Sequence, residues 1–220
     1  MATIDVRPFG GRDSNGRATG LYTDLAAMLS FESGIEFDNS VVPYARAMLM
    51  MERDDADVIF SIPHTALARV AVPLTIAFTA DIAVLGRAGT RFSKLEDLRG
   101  KVVAHLRGVE YSAEFQADVA IRKYETRNVE HTIKMLLHGR IDAVIGFSQA
   151  MAFMLRELAI PRDSLGAAFQ IESRNVLLHM SKLTRREPAG EQLSAALSTL
   201  RDRGAISGLL NRYFGGLPPL

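Results

Sequence analysis

Arg69 is the residue of this chain whose surroundings point most directly to chemistry. It stands inside Ala66-Leu67-Ala68-Arg69-Val70-Ala71-Val72. A guanidinium buried in such a run is costly unless it is paired. A plain reading is an arginine at a helix end, its stem on apolar surface and its head in water. The sharper reading is an anion clamp, because the guanidinium fork matches a carboxylate in shape and charge. Ser61 and His64 follow the apolar run Val58-Ile59-Phe60 and would lie beside it. Ligands of open α/β sheets bind at the carboxyl ends of the strands. A second constellation is Leu106-Arg107-Gly108-Val109-Glu110-Tyr111-Ser112, between a strand-like and a helix-like run. Glycine lets a ligand approach the backbone closely, and free amides at a helix start favour an anion.

Other chemistries lack local support. The chain has no G-x-G-x-x-G, no P-loop and no G-x-S-x-G pattern, so nucleotide binding and hydrolysis have no motif. It has no cysteine, which excludes disulfides, thiolate catalysis and cysteine-ligated zinc. The five histidines, His64, His105, His131, His138 and His179, lack metal-ligand spacing. They read as surface or hydrogen-bonded core residues, and no metal or cofactor is expected. Met48, Met50 and Met51 read as core filler and helix surface. A net charge of +1 gives no electrostatic footprint for nucleic acid. No apolar run is long enough to span a bilayer.

The elements that must position these residues follow from two stretches with one grammar. Residues 46–60 run from a helix pattern through a charged turn to Asp57 and Val58-Ile59-Phe60. Residues 130–147 run from a helix pattern through Gly139-Arg140 to Asp142 and Ala143-Val144-Ile145-Gly146-Phe147. Short, nearly all-apolar strands are usually buried on both faces, as in parallel α/β sheets. Two such units in 220 residues suggest two lobes, a cleft and a ligand. Strands are expected at 3–6, 41–42, 57–62, 81–87, 101–106, 142–147, 169–171 and 176–180. Helices are expected at 21–29, 45–53, 112–124, 130–138, 149–158, 189–202 and 205–213. Ser93-Lys94-Leu95-Glu96 reads as a capping box, with Gly100 as a left-handed cap.

Taken in order, these pieces resemble the family 3 extracellular solute-binding proteins, the periplasmic receptors of ABC importers. Pro8-Phe9, Gly16, Gly20-Leu21 and Asp24-Leu25 resemble the family's opening. The spacing from Asp57 to Arg69 resembles that from its strand aspartate to its ligand-binding arginine. Asp97-Leu98-Arg99-Gly100-Lys101-Val102-Val103, Gly139-Arg140-Ile141-Asp142-Ala143 and the closing Arg212-Tyr213-Phe214-Gly215 complete the set. The resemblance implies an α/β fold of the type II periplasmic-binding-protein kind. Each lobe would be an open, mostly parallel sheet flanked by helices, with two crossing strands as a hinge. Lobe one would comprise 1–82 and 183–220, and lobe two 83–182.

Carried over by position, Tyr44 would stack on the ligand, with Arg46 a second anion contact one turn into its helix. Ser61, His64 and Arg69 would hold an anionic group, and the loop Gly108, Val109, Glu110, Tyr111 would supply amides from lobe two. Phe147 stands where amino-acid binders place an aspartate for the ammonium group. Glu110 stands where they often have a small hydroxyl residue, and Ile62 replaces another. The implied protein is a periplasmic, non-enzymatic monomer that passes a small polar solute to an ABC permease. Met1-Ala2 leads straight into a strand pattern, so either the protein is cytosolic or, as the resemblance implies, a secretion signal has been removed. The alternatives are a sensing module of a signalling receptor and a dehydratase-like enzyme using Glu110, Glu114 or His64.

Overall fold

The computed structural model describes residues 1–184, 187–217 and 220. Arg185, Arg186, Pro218 and Pro219, inside the expected return segment 183–220, lie outside the described residues. The chain divides into two compact units. Unit one is built on Met1–Thr79 and Asn175–Gly216, and unit two on Ala80–Arg174.

Unit one opens with β1 (Ala2–Ile4), a small antiparallel pair β2 (Gly11–Arg12) and β3 (Ala18–Thr19), and α1 (Leu21–Ser33). It continues through β4 (Ser40–Val42), α2 (Tyr44–Arg53), β5 (Val58–Ser61) and α3 (Thr65–Val70). The long strand β6 (Ala71–Arg87) starts in unit one and continues into unit two. There follow β7 (Val102–Leu106), α4 (Ala113–Ala117), β8 (Arg122–Thr126), α5 (Val129–Leu137), β9 (Ala143–Phe147) and α6 (Ser148–Glu157). A second long strand, β10 (Leu165–Ser181), returns to unit one, which α7 (Glu187–Asp202) and α8 (Ala205–Phe214) complete.

The sheet plan is the same in both units. In unit one the strand order is β4-β1-β5-β10, parallel except where β10 joins β5. In unit two it is β8-β7-β9-β6, parallel except where β6 joins β9. β5 is buried at every position and β9 at all but its last, which is why both read as unbroken apolar runs. The core of unit one gathers Phe9, Tyr22, Phe60, Phe78 and Phe214, with ring centroids 5.4 to 6.3 Å apart. Such tilted and offset pairs add to the area that aromatic rings bury.

The resembling motifs have structural work of their own. Asp24 accepts hydrogen bonds from Arg212 Nη2 at 2.6 Å and Tyr213 Oη at 2.8 Å, tying the opening motif to the closing one. Gly20 has φ 108, and a Cβ there would lie 2.8 Å from the Pro8 carbonyl, so only glycine fits. Asp142 accepts from the Val102 N–H at 2.9 Å and from Arg87 Nε at 3.1 Å, binding two further strands to the start of β9.

Three local expectations differ from the fold. The helix expected over 112–124 is only α4, and the edge strand β8 follows it. β8 reads Arg-Lys-Tyr-Glu-Thr and is largely exposed, so it carries no apolar alternation for a sequence reading to find. The strands expected at 169–171 and 176–180 are one strand, because Glu172 to Asn175 continue it. The carboxylate that caps the turn at Leu95–Leu98 belongs to Asp97 rather than Glu96, accepting from the Ser93 and Lys94 N–H groups.

Candidate functional site

In unit one, the expected residues follow the carboxyl end of β5 and the start of α2. Tyr44 opens α2 directly after Pro43, which offers no side-chain cap. Its hydroxyl hydrogen-bonds His64 Nε2, and the two rings lie 5.7 Å apart. His64 is the N-cap of α3, where its Nδ1 accepts the Leu67 N–H at 3.4 Å. Ser61, the last residue of β5, is buried and donates to the Ile62 carbonyl at 3.2 Å. The structure thus brings Tyr44 and His64 together, just beyond Ser61.

Arg46 lies in the first turn of α2 and Arg69 in the last turn of α3, two helices that touch. Both are exposed, and neither guanidinium makes a hydrogen bond or ion pair among the described residues. Arg69 is therefore not the buried cation that its apolar neighbours suggest. Ala66 and Ala68 are themselves exposed, and within that stretch only Leu67 and Ala71 are buried. A cation in the last turn of a helix is favoured by the helix dipole, whereas Arg46 near a helix N-terminus opposes it.

The adjacent strand adds a residue the sequence reading did not single out. His179 on β10 pairs with Ile59 of β5 and is 2% exposed. Burial pushes its imidazole down to about 4; a hydrogen bond to the Leu177 carbonyl opposes this and His64 adds to it. The ring is neutral at pH 7.

In unit two the expected residues follow β7 and β9. Gly108 takes φ 78, in the left-handed region. Val109 and Tyr111 are buried, and Glu110 is half-buried. The helix after them is one short turn, capped by Ser112 Oγ accepting from the Phe115 N–H at 3.4 Å. Phe147 closes β9 and sits edge-on to Tyr111, centroids 5.6 Å apart at 84°. Arg174, inside the segment that reads as a polar joint, donates to the Tyr111 carbonyl at 3.1 Å and holds the loop. This end of unit two is aromatic, with Glu110 and Arg174 as charged groups.

A separate cavity of about 500 Å³ lies at the opposite, amino ends of the unit-one strands, lined by Met1, Asp38, Ser40, Asp57, Val58 and Leu193 among others. Among the described residues no group of three or more histidines and carboxylates could hold a metal ion. No helix among them is long and apolar enough to cross a membrane.

Comparison with known proteins shows which fold this is. No family model matches the chain. A probable amino-acid-binding protein of Bacillus subtilis (strain 168), YxeM, is 22% identical over 221 residues, covering 97% of this chain and 82% of that protein. A mutant of the arginine-binding protein of T. maritima superposes with TM-score 0.80 at 21% identity, covering 97% of this chain and 93% of its own. The arginine-, lysine- and histidine-binding protein ArtJ of Geobacillus stearothermophilus gives 0.79 at 16% identity, covering 99% and 94%. A histidine kinase sensor domain with similarity to periplasmic binding proteins gives 0.84 at 19% identity, covering 99% and 96%. The chain has the α/β fold of the type II periplasmic binding proteins and resembles the amino-acid-binding members of the family 3 solute-binding proteins along nearly its whole length.

Proposed function

We propose that this protein is a receptor, not an enzyme, that binds a small polar solute carrying an anionic group and passes it to an ABC permease. It acts in the periplasm as a monomer and needs no cofactor. The observation that carries the reading is the set of polar groups after β5, Tyr44, Ser61 and His64, with the exposed guanidiniums of Arg46 and Arg69. Arg69 is the anion anchor and Arg46 its second contact. Unit two contributes the loop Gly108, Val109, Glu110, Tyr111 and the ring of Phe147. The named relatives that bind arginine, lysine or histidine support an amino-acid-like ligand. Phe147 argues for one whose ammonium group, if it has one, is met by Glu110 instead. A buried ammonium without a partner costs several kcal/mol.

A thermal-shift screen of the twenty amino acids and of matched carboxylates lacking the ammonium decides between these ligands. A binder at 100 times its Kd stabilises the fold by about 2.7 kcal/mol, a shift of several degrees. Arg69→Ala then weakens the best binder about tenfold to a hundredfold, as expected for a charge-assisted contact. Unchanged affinity by calorimetry would falsify the anchor role. The likeness to a kinase sensor domain supports a second reading, a sensing module that binds the same class of ligand. A membrane helix and signalling domain in the same gene would favour it, and neighbouring permease and ATPase genes the first.

A further inference from the structure

The geometry of unit two points to an interaction surface: the outer edge of β8 pairs antiparallel with β8 of a second copy of this chain, in one register, about a two-fold axis at Tyr124. The inference goes beyond the receptor reading and does not rest on it.

The argument begins at the backbone. β4 ends the sheet of unit one and β8 that of unit two. Alternate residues of a strand turn their main-chain groups to opposite sides. On β4, the Ser40 N–H bonds the Met1 carbonyl at 3.0 Å and the Val42 carbonyl accepts the Asp5 N–H at 2.9 Å, so Val41 faces outward. Its carbonyl is covered, accepting from Arg12 Nη2 at 3.1 Å. On β8, the Arg122 N–H bonds the Lys101 carbonyl at 3.0 Å and the Thr126 carbonyl accepts the Arg107 N–H at 2.9 Å. Arg122, Tyr124 and Thr126 therefore serve β7, and Lys123 and Glu125 turn their N–H and C=O groups outward. Among the described residues no hydrogen bond reaches those groups. An edge of this kind is a template for another strand.

The side chains select the strand. In an antiparallel pair, residues that exchange both main-chain bonds stand directly opposite each other. Using every outward group of two β8 strands requires Lys123 to oppose the second copy's Glu125, and Glu125 the second copy's Lys123. Tyr124, 46% exposed, then opposes itself on the axis. Opposite charges and aromatic rings facing across a pair both stabilise it. A slide of two residues either way sets Lys123 against Lys123 or Glu125 against Glu125, and like charges directly opposite destabilise. Both charges keep capacity for the new contact. Lys123 Nζ donates to the Asp118 carbonyl at 2.6 Å and has further hydrogens, and Glu125 binds Arg107 through Oε2 at 3.0 Å. Charges on an edge turn other strands away, and these admit the strand's own sequence reversed.

So short an edge buries less than the roughly 1,200 Å² of a stable interface, so the pair is weak and the dilute protein is monomeric. Sedimentation of the full chain at low salt, from about 10 μM to about 1 mM, should show a dimer that grows to about half of the protein. Monomer throughout overturns the proposal. Lys123→Glu and Glu125→Lys each set like charges opposite each other and should abolish the dimer, while an equal mixture of the two restores it. A dimer that survives either change, or a mixture of folded variants that stays monomeric, overturns it. The register has its own test, because the chain has no cysteine. A Tyr124→Cys pair on the axis lies within disulfide reach, its Cα atoms about 4.5 Å apart. Mild oxidation should link Tyr124→Cys into a dimer and leave Val119→Cys, at a more exposed position, unlinked. No link at position 124, or equal linking at both, overturns the pairing.

Discussion

The two helix–aspartate–strand joints match in the backbone hydrogen bond of the aspartate and in strand register, and differ in what their side chains carry. The Asp57 carbonyl accepts the Ser181 N–H at 2.7 Å, and the Asp142 carbonyl accepts the Arg87 N–H at 2.9 Å. From there the registers run in step. Ile59 faces His179 where Val144 faces Leu85, and Ser61 faces Leu177 where Gly146 faces Ala83. At the carboxyl ends, Ile62 and the His64 cap in unit one answer to Phe147, the last residue of β9, and an uncapped helix start in unit two. The amino ends are reversed. The Asp142 carboxylate is bonded to Val102 and Arg87, while Asp57 is exposed and its carboxylate makes no bond among the described residues. One backbone plan therefore carries polar groups at the carboxyl strand end of unit one and at the amino strand end of unit two.

The largest expected effect tests the His179–Leu85 difference. The unfolded imidazole takes up a proton near pH 6.5, whereas the folded one does so only near 4. The unfolded state then binds more protons over that interval, so stability is full above about pH 6.5 and falls as pH drops toward 4. The loss is about 3 kcal/mol. His179→Leu, which copies unit two, should abolish that part of the slope in urea unfolding at pH 7 and 4.5. An unchanged slope would show that the two positions are energetically alike.

Next comes the aspartate pair. Asp142→Ala should destabilise by about 2 kcal/mol, because a charged acceptor leaves a backbone donor and a guanidinium behind. Burial pushes the Asp142 carboxyl up, but the Val102 N–H and the Arg87 guanidinium outweigh it and hold it below the usual carboxylate range. Its contribution is therefore present above the ordinary carboxylate pKa and lost as pH falls through the depressed folded value. Wild type and Asp142→Ala should converge in strong acid, and parallel curves down to pH 2 would refute the assignment.

The caps give a smaller contrast. His64→Ala should cost about 1 kcal/mol and His64→Asn should restore most of it, since asparagine can accept the same N–H. Phe147→Ala offers no such rescue, having no cap to restore. Smallest of all, Asp57→Ala should stay within about 0.5 kcal/mol of wild type, because its exposed carboxylate acts on the Met1 ammonium through charge alone. A loss as large as that of Asp142→Ala would erase the difference between the amino ends.

Some of this was legible from residue order and some was not, for identifiable reasons. β5 and β9 were legible because central strands covered on both faces must be apolar throughout. Gly100 was legible as a left-handed cap and adopts φ 75. β8 was hidden because an edge strand keeps charged, exposed side chains. Arg69 misled because alanine is apolar in a sequence yet costs little when exposed, so Ala66 and Ala68 say nothing about burial. Arg174 was hidden in a polar stretch that is strand rather than loop.

The sequence by itself determined the α/β class, the repeated helix–aspartate–strand joint and the resemblance to solute-binding proteins. All three rest on local patterns: apolar periods, turn residues and short motifs. Only the tertiary structure decided which polar groups meet. Asp24 reaches Arg212 across 188 residues, and Asp142 reaches Val102 across 40. His179 loses its solvent because β10 returns beside β5, and His64 becomes a cap because α3 starts where it does. Hydrogen bonds and burial depend on distances that residue order leaves open, so the chemistry of each polar side chain is settled only when the chain has closed around it.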